Sequence, residues 1–203
     1  MFTTSSTDMD TDTDKDTYYI KDIQNGNISS YSYLVHKYKN LVFNLVYRIL
    51  KNREDSEEVS QDAFVNAFNV INEFNFKAKF STWIYKIAYN AAISRLRHKK
   101  TFSFLKTNEL EDNFTDDDSY SIENILQLEL DEKKEIIQKL LSELNEEENV
   151  LIALYYFNDC SIQEISEITS LTVSNVKIKL YRTRKLLMNN LKKWLGKEYE
   201  YWK

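Results

Sequence analysis

Breaker residues are almost missing from this chain of 203 residues, which has no proline and only two glycines, Gly26 and Gly196. Tight hairpin turns depend on glycine and proline for backbone conformations that other residues avoid. A chain without them favours helices joined by polar caps. Since the hydrophobic content of 42% is enough to give such helices buried faces, the sequence predicts an all-α protein.

Charge is distributed unevenly, although the formal net charge is only -5. Residues 31–100 contain twelve basic and six acidic side chains, and residues 171–203 contain nine and two. The segment between them contains four basic and eighteen acidic side chains. Two basic blocks separated by an acidic stretch predict two separate contacts with a polyanion, because such a partner responds to local potential.

The first basic block is expected to form three helices. From Tyr31 to Leu50, apolar residues recur with the spacing of one helix face. Asp55 and Glu58 have the spacing of a capping box for a second helix. Ser81 or Thr82 is the expected cap of a third. Three helices of this length are sufficient for a small bundle.

The second half of the chain has the outline of a helix-turn-helix. Two capping boxes begin short helices here: Asn145 with Glu148, and Ser161 with Glu164. After a tight turn at TSLT, a longer and more basic helix begins with Thr172 or Ser174 as its cap. Short helix, turn and basic helix follow in the order that places a second helix in the major groove of DNA.

These patterns predict two small helical domains joined by an acidic linker. The expected boundaries are a disordered acidic N-terminus at 1–25, a three-helix domain at 26–100, a linker at 101–130, a helix-turn-helix domain at 131–195 and a C-terminal tail at 196–203.

Enzymatic signals are poor. His36 and His98 have no Cys or carboxylate neighbours at metal-ligand spacing, and two glycines cannot build a phosphate-binding loop. The sequence therefore predicts no catalytic residues, no metal, no cofactor and no small-molecule substrate. With no hydrophobic signal segment and a single cysteine, Cys160, it also predicts a cytoplasmic protein without membrane insertion.

The basic helix of the second half carries candidate contacts to duplex DNA. Side chains near the start of such a helix reach base edges, and later cations hold phosphates. A solvated basic helix face is the alternative interpretation. The candidates are Thr172, Ser174, Asn175, Lys177, Ile178, Lys179, Tyr181, Arg182, Arg184 and Lys185.

A second cluster combines aromatic rings with cations around the segment KFSTWIYKIAYNAAISRLRHKK, which has no acidic residue. Rings and cations together stack unpaired bases and hold a single-stranded backbone. At helical spacing such rings are also core residues, and for Trp83 the sequence leaves both interpretations open. The candidates are Asn75, Phe76, Lys77, Lys79, Ser81, Thr82, Trp83, Lys86, Asn90, Arg95 and Arg97.

Both halves resemble one protein family. DSEEVSQDAFVNAFNVINEF followed by KFSTWIYKIAYNAAISRLRHKK is similar to region 2 of the extracytoplasmic-function sigma factors of bacterial RNA polymerase. LSELNEEENVLIALYYFNDCSIQEISEITSLTVSNVKIKLYRTRKLL resembles their region 4. The resemblance implies a protein that binds core RNA polymerase and promoter DNA and directs transcription initiation. It also implies an anti-sigma factor as a further partner.

The resemblance assigns roles to the two clusters. Region 2 is expected to read and open the -10 element with the first aromatic and basic cluster, and region 4 to read the -35 element with the basic helix. Core polymerase is expected to contact the second helix, through Asp55, Glu58, Gln61 and Asp62.

The chain departs from the usual pattern of the family at several positions. Phe76 and Lys77 stand where the family usually has glycine and an acid, Asn145 replaces a proline, Ser170 and Ser174 replace glycines, and Ile178 or Lys179 replaces a common serine or arginine. These changes are compatible with the fold but leave the promoter sequence open. Two rival functions also remain: a stand-alone helix-turn-helix regulator, and an adaptor that binds only protein.

Overall fold

The computed structural model of the chain describes residues 6–105 and 131–195. The regular secondary structure in these two ranges is helical throughout, which confirms the all-α prediction. The described residues fall into two compact units, the first formed mainly by residues before Arg97 and the second mainly by those after it. Outside the described residues lie the predicted tail and all of the predicted linker except residues 101–105. No helix within the two ranges is long and apolar enough to cross a membrane.

Residues 6–105 form four α-helices and two short 3-10 turns. The α-helices are α1 Ser6–Gln24, α2 Tyr31–Leu50, α3 Arg53–Asn69 and α4 Phe80–Leu105, with 3-10 turns at Ile28–Ser30 and Ile71–Glu73. Helix α2 has the predicted bounds, and its apolar face is buried at Leu34, Val42 and Leu45. Helix α4 continues beyond residue 100, where we expected the domain to end.

The caps of α3 and α4 differ from the prediction. Asn52 is the cap of α3, because its side chain accepts a hydrogen bond from the amide of Asp55. The capping box that we predicted from Asp55 and Glu58 is therefore wrong. Helix α4 begins at Phe80, ahead of both Ser81 and Thr82. Both helices therefore begin two or three residues earlier than predicted, because more than one polar residue near a helix start can cap its first amides.

The N-terminal segment is the largest departure from the sequence-based expectation of disorder at 1–25. Residues 6–24 form α1, which buries Ile20 and Ile23. The buried carboxylate of Asp16 accepts hydrogen bonds from Tyr38 Oη at 2.5 Å and Lys37 Nζ at 2.8 Å. A charged group that is only 6% exposed is stable when it is paired in this way. Contacts with α2 thus order a segment whose composition alone suggested disorder.

After residue 130 the chain forms α5 Asp131–Ser142, α6 Glu146–Ile152, one π-helical turn Ala153–Phe157, α7 Ile162–Thr169 and α8 Val173–Leu195. Both capping boxes predicted here are present, with their reciprocal hydrogen bonds. Thr172, the first of the two alternatives for α8, is its cap, since its hydroxyl accepts from the amide of Asn175 at 3.2 Å. Short capped helices followed by a long basic one confirm the helix-turn-helix outline.

The turn between α7 and α8 contains a strained serine and provides a stability test. Ser170 is exposed and has a left-handed φ of 60°, which costs a residue with a Cβ roughly 1 kcal/mol. We expect Ser170→Gly to raise the unfolding free energy of this part of the chain by up to about 1 kcal/mol. Hydrogen exchange of the α7 and α8 amides in the full chain measures the change. Ser174→Gly, inside α8, should instead lower protection, and lower protection in Ser170→Gly would contradict the prediction.

Candidate DNA and polymerase interfaces

The loop in front of α4 holds the first of the predicted DNA contacts. Phe74 and Phe80 at its ends are buried, with ring centroids 6.1 Å apart. Between them Phe76 has a left-handed φ of 60°, and the amide of Lys77 donates to Asn75 Oδ1 at 3.2 Å. Two buried rings therefore anchor a short loop whose middle residues are exposed.

Trp83 lies behind this loop and has a dual environment. Its ring centroid is 5.2 Å from that of Phe74 and 5.7 Å from that of Phe80. The side chain is nevertheless only half-buried. Part of the indole thus packs in the aromatic core and part is accessible next to the loop, which combines the two interpretations that the sequence left open.

The structure brings most of the predicted -10 residues to exposed positions. Asn75, Phe76, Lys77, Lys79, Lys86, Asn90 and Arg97 are exposed, Ser81, Trp83 and Arg95 are half-buried, and Thr82 is buried. Trp83, Lys86 and Asn90 follow at intervals of one helical turn and share one face of α4. We call these three residues, together with residues 75–79, the loop surface. Thr82 cannot contact DNA without unpacking, so its predicted contact is not supported.

Arg95 lies on a different face of α4 from the loop surface. Its guanidinium bridges α3, with Nη1 at 3.1 Å from Asp55 Oδ1 and Nη2 at 2.6 Å from Glu58 Oε1. This hydrogen bond and its charge lower the pKa of Glu58 below its usual value. The structure thus pairs a predicted DNA contact with two predicted polymerase contacts. Sequence reasoning missed this because the partners are 37 and 40 residues away.

The ion pair between Arg95 and Glu58 makes the free energy of unfolding fall at low pH. The pKa of Glu58 is lowered in the folded state, so the ion pair stabilises the folded protein fully when the pH is above the ordinary glutamate pKa of 4.5. This stabilisation is lost as the pH falls below that value. We expect the wild type to be more stable than Arg95→Gln above pH 4.5, with the difference shrinking at lower pH. Urea unfolding followed by circular dichroism measures it. An equal difference at about pH 3.5 and pH 7 would contradict this assignment.

The outward side of α3 carries the remaining predicted polymerase contacts. Gln61 and Asp62 are exposed there, whereas Val59 and Ala63 of the same helix are buried. Val65 lies on the same outward side and is 58% exposed. Sequence reasoning missed Val65, although an apolar residue outside the buried period is a recognisable signal. We call Gln61, Asp62 and Val65, with the paired Asp55 and Glu58, the α3 surface.

Helix α1 supports the loop surface from behind. Gln24 Nε2 donates to the backbone carbonyl of Ile71 at 2.9 Å and to that of Phe74 at 3.1 Å. Lys21 Nζ lies 5.7 Å from the centroid of the exposed Phe76 ring. These contacts hold both the entry to the loop and its exposed ring. No local pattern signals them, since Gln24 is 47 and 50 residues from its partners.

Helix α8 presents the second cluster of predicted DNA contacts. Its inner face is buried at Val176, Leu180 and Thr183. All ten predicted -35 residues from Thr172 to Lys185 are exposed except Lys179, which is half-buried. The first three turns of α8 therefore present a largely polar and cationic surface, which we call the α8 surface.

Two cations of this set interact with their own half of the chain. Lys179 Nζ pairs with Glu147 Oε2 at 2.6 Å. The Arg184 guanidinium lies 4.8 Å and 5.4 Å from the ring centroids of Tyr155 and Tyr156. Both residues lie on the flanks of α8, where they hold the helix against its neighbours. Lys177, Arg182 and Lys185 are exposed on the outer side of the same helix.

Comparisons with known proteins agree with this geometry. The family Sigma-70 region 2 matches residues 34–102, and Sigma-70, region 4 matches residues 134–187. The chain is 31% identical over 180 residues to the ECF RNA polymerase sigma factor SigW of Bacillus subtilis, covering 85% of this chain and 95% of that protein. The chain belongs to the extracytoplasmic-function sigma factors. It is also 27% identical over 180 residues to the ECF RNA polymerase sigma-E factor of Escherichia coli, covering 87% and 94% of the two chains.

Two solved structures share the fold of this sigma factor. The chain aligns with CnrH, solved in complex with the cytosolic domain of CnrY, at a TM-score of 0.60 and 18% identity over 87% of this chain and 97% of that one. It aligns with the sigma factor RpoE of Bartonella quintana, solved with the anti-sigma factor NepR, at 0.61 and 17% over 79% and 97%. Similarity at this level identifies the fold.

The family match gives the two halves of the sigma factor their names. Region 2 spans α2 and α3 and most of α4, and region 4 spans α5 to α8 up to residue 187. As an RNA polymerase sigma factor, the chain acts in promoter-specific transcription initiation. Phe76 and Ser170, which stand where the family resemblance suggests glycine, both have the left-handed φ that glycine adopts without strain. Helix α1 precedes the matched part of region 2.

Proposed function

We propose that the loop surface reads and opens the -10 element and that the α8 surface reads the -35 element as duplex DNA. The observation that carries this is the loop surface itself, where exposed rings and cations are held on buried Phe74 and Phe80. Rigid support matters because a base that leaves the duplex needs a preformed site. The exposed cations of α8 supply the second, upstream contact.

Promoter opening by this route needs no chemical energy and no catalytic activity of the sigma factor itself. Unstacking a base step costs a few kcal/mol, and stacking a base on a protein ring recovers roughly 1 to 3 kcal/mol. Phe76 is 39% exposed, and the half-buried Trp83 lies behind the same loop. Two such rings are enough to offset most of the cost of one unstacked step.

Core polymerase is proposed to bind the α3 surface and to hold regions 2 and 4 on the promoter. The formal net charge of -5 opposes binding of the free chain to DNA, because long-range repulsion acts against local attraction. We expect weak promoter binding by the purified sigma factor at physiological salt. Activity is then confined to the complex with polymerase, in the cytoplasm.

We further propose that the folded region 2 domain begins with α1, so that it comprises residues 6–105, and that region 4 comprises residues 131–195. Gln24 and Asp16 support the inclusion of α1, since both bind residues of the matched family region. An anti-sigma factor is proposed as a partner, because both structural neighbours were solved with a protein of that kind or with a bound cytosolic domain.

Reconstitution tests the proposed function directly. The sigma factor and core polymerase are incubated with fragmented genomic DNA, and the starts of the transcripts are mapped. We expect a small set of defined starts that core polymerase alone does not produce. Initiation indistinguishable from core polymerase alone would overturn the proposal. Tight, sequence-specific binding by the chain without polymerase would instead favour a stand-alone regulator.

A further inference from the structure

An apolar side chain occupies the centre of the α8 surface. The inner face of α8 is defined by Val176, Leu180 and Thr183, which are at most 2% exposed. At about 100° per residue, Ile178 lies roughly opposite to that face. Its side chain is 47% exposed, as expected for that position.

The neighbours of Ile178 are polar and cationic side chains and the ring of Tyr181, which is 65% exposed. Ser174 lies one turn before it and Arg182 one turn after it, and Lys185 lies two turns along the same side. Isolated apolar residues are common on protein surfaces, and exposure alone does not mark a site. Here, however, the β-branched side chain stands where long cations surround it and where the helix is proposed to enter the major groove.

The major groove offers one apolar group to such a side chain. Among the base edges, only thymine presents a methyl group there, at C5, and apolar side chains contact it. Asn175 and Lys177 in the same turns have donors for neighbouring bases, and Arg182 and Lys185 have the charge to hold phosphates. Phosphate contacts by Arg182 and Lys185 would hold α8 in the groove with Ile178 facing the base edges.

We propose that Ile178 is a specificity-determining residue that packs on the C5-methyl group of a thymine in the upstream promoter element. The upstream element therefore contains an A·T pair beneath the second turn of α8. This inference rests on the proposed reading of duplex DNA by α8, and it adds the chemical group that is read.

Replacing single thymines by uracil tests the proposal, since uracil lacks only the methyl group and keeps the pairing edge. The holoenzyme is assembled on a promoter found by transcript mapping, and each thymine of the upstream element is replaced in turn. We expect one replacement to weaken binding of the wild type by about 3–5-fold, the effect of one buried methyl group. In Ile178→Ala the same replacement should have no effect, and this variant should fold because the side chain is exposed and alanine favours helices.

Leu186→Ala is the matched control, because Leu186 is an exposed apolar residue of α8 two turns further on. It should keep the sensitivity of the wild type to uracil. An upstream element without thymine, no effect of uracil in the wild type, or an equal effect in Ile178→Ala would each overturn the proposal. If instead α8 did not read DNA at all, charge reversal on α8 would leave promoter binding unchanged. That result distinguishes failure of the proposed function from failure of the proposal for Ile178.

Discussion

Lys177→Glu combined with Arg182→Glu is expected to reduce promoter-specific transcription by roughly 10²-fold or more while binding to core polymerase is unchanged. Both side chains are exposed on the α8 surface. Each reversal removes an attraction to a phosphate or base and adds a repulsion, so two reversals are expected to cost about 3 kcal/mol. In vitro transcription measures the loss, and the dependence of promoter binding on salt should become less steep.

The matched control for this pair is Lys192→Glu with Lys193→Glu, which makes the same charge change in the last turn of α8. These lysines lie beyond the turns proposed to meet the upstream element. We expect the control to transcribe within a few-fold of the wild type. Equal losses in both double variants would mean that net charge alone matters and that α8 does not read DNA. An unchanged yield in the first variant would favour the adaptor that binds only protein.

Asp62→Lys is expected to weaken association with core polymerase by about 30-fold or more, and with it all sigma-dependent transcription. Asp62 is exposed at the centre of the α3 surface, next to Val65, which is 58% exposed. A charge that becomes buried in an interface contributes about 2 to 5 kcal/mol when its partner is lost, and reversal adds repulsion. Fluorescence anisotropy of labelled sigma factor titrated with core polymerase measures the affinity.

Glu57→Lys provides the same charge change on α3 at the edge of the α3 surface, one turn before Gln61. Glu57 pairs with Arg53 at 3.0 Å, and both side chains are at least half exposed, so loss of that pair should cost little stability. We expect polymerase affinity close to that of the wild type. If the two variants lose affinity equally, the overall charge of α3 and not the α3 surface determines binding. Circular dichroism of both variants separates loss of binding from loss of folding.

Local signals in the sequence were sufficient for the helices whose ends carry their own caps. The capping boxes at Asn145 and Ser161 depend on residues three positions apart, and both formed as predicted. Helix α2 was predicted with its bounds because one apolar face repeats through all of its length. Where two polar residues compete for one helix start, the local pattern is degenerate, and Asn52 displaced Asp55.

The roles of the predicted site residues stay predictions, and the structure adds to them the exposure and the contacts of each side chain. Exposure on α4 and α8 follows from helical periodicity, and most candidates are indeed exposed. Periodicity does not show which exposed charges are already paired. Arg95, Lys179 and Arg184 belong to the candidate set, yet each interacts with a residue of its own half of the chain.

The sequence by itself determined the all-α class, the two basic blocks and the family, because composition, helical period and motif order are all properties of the chain read in one dimension. Only the tertiary structure decided that α1 is ordered, that Gln24 holds the loop surface and that Arg95 pairs with α3. The physical reason is that these properties depend on pairs of groups far apart in sequence, whose contact energy exists only after the helices have packed.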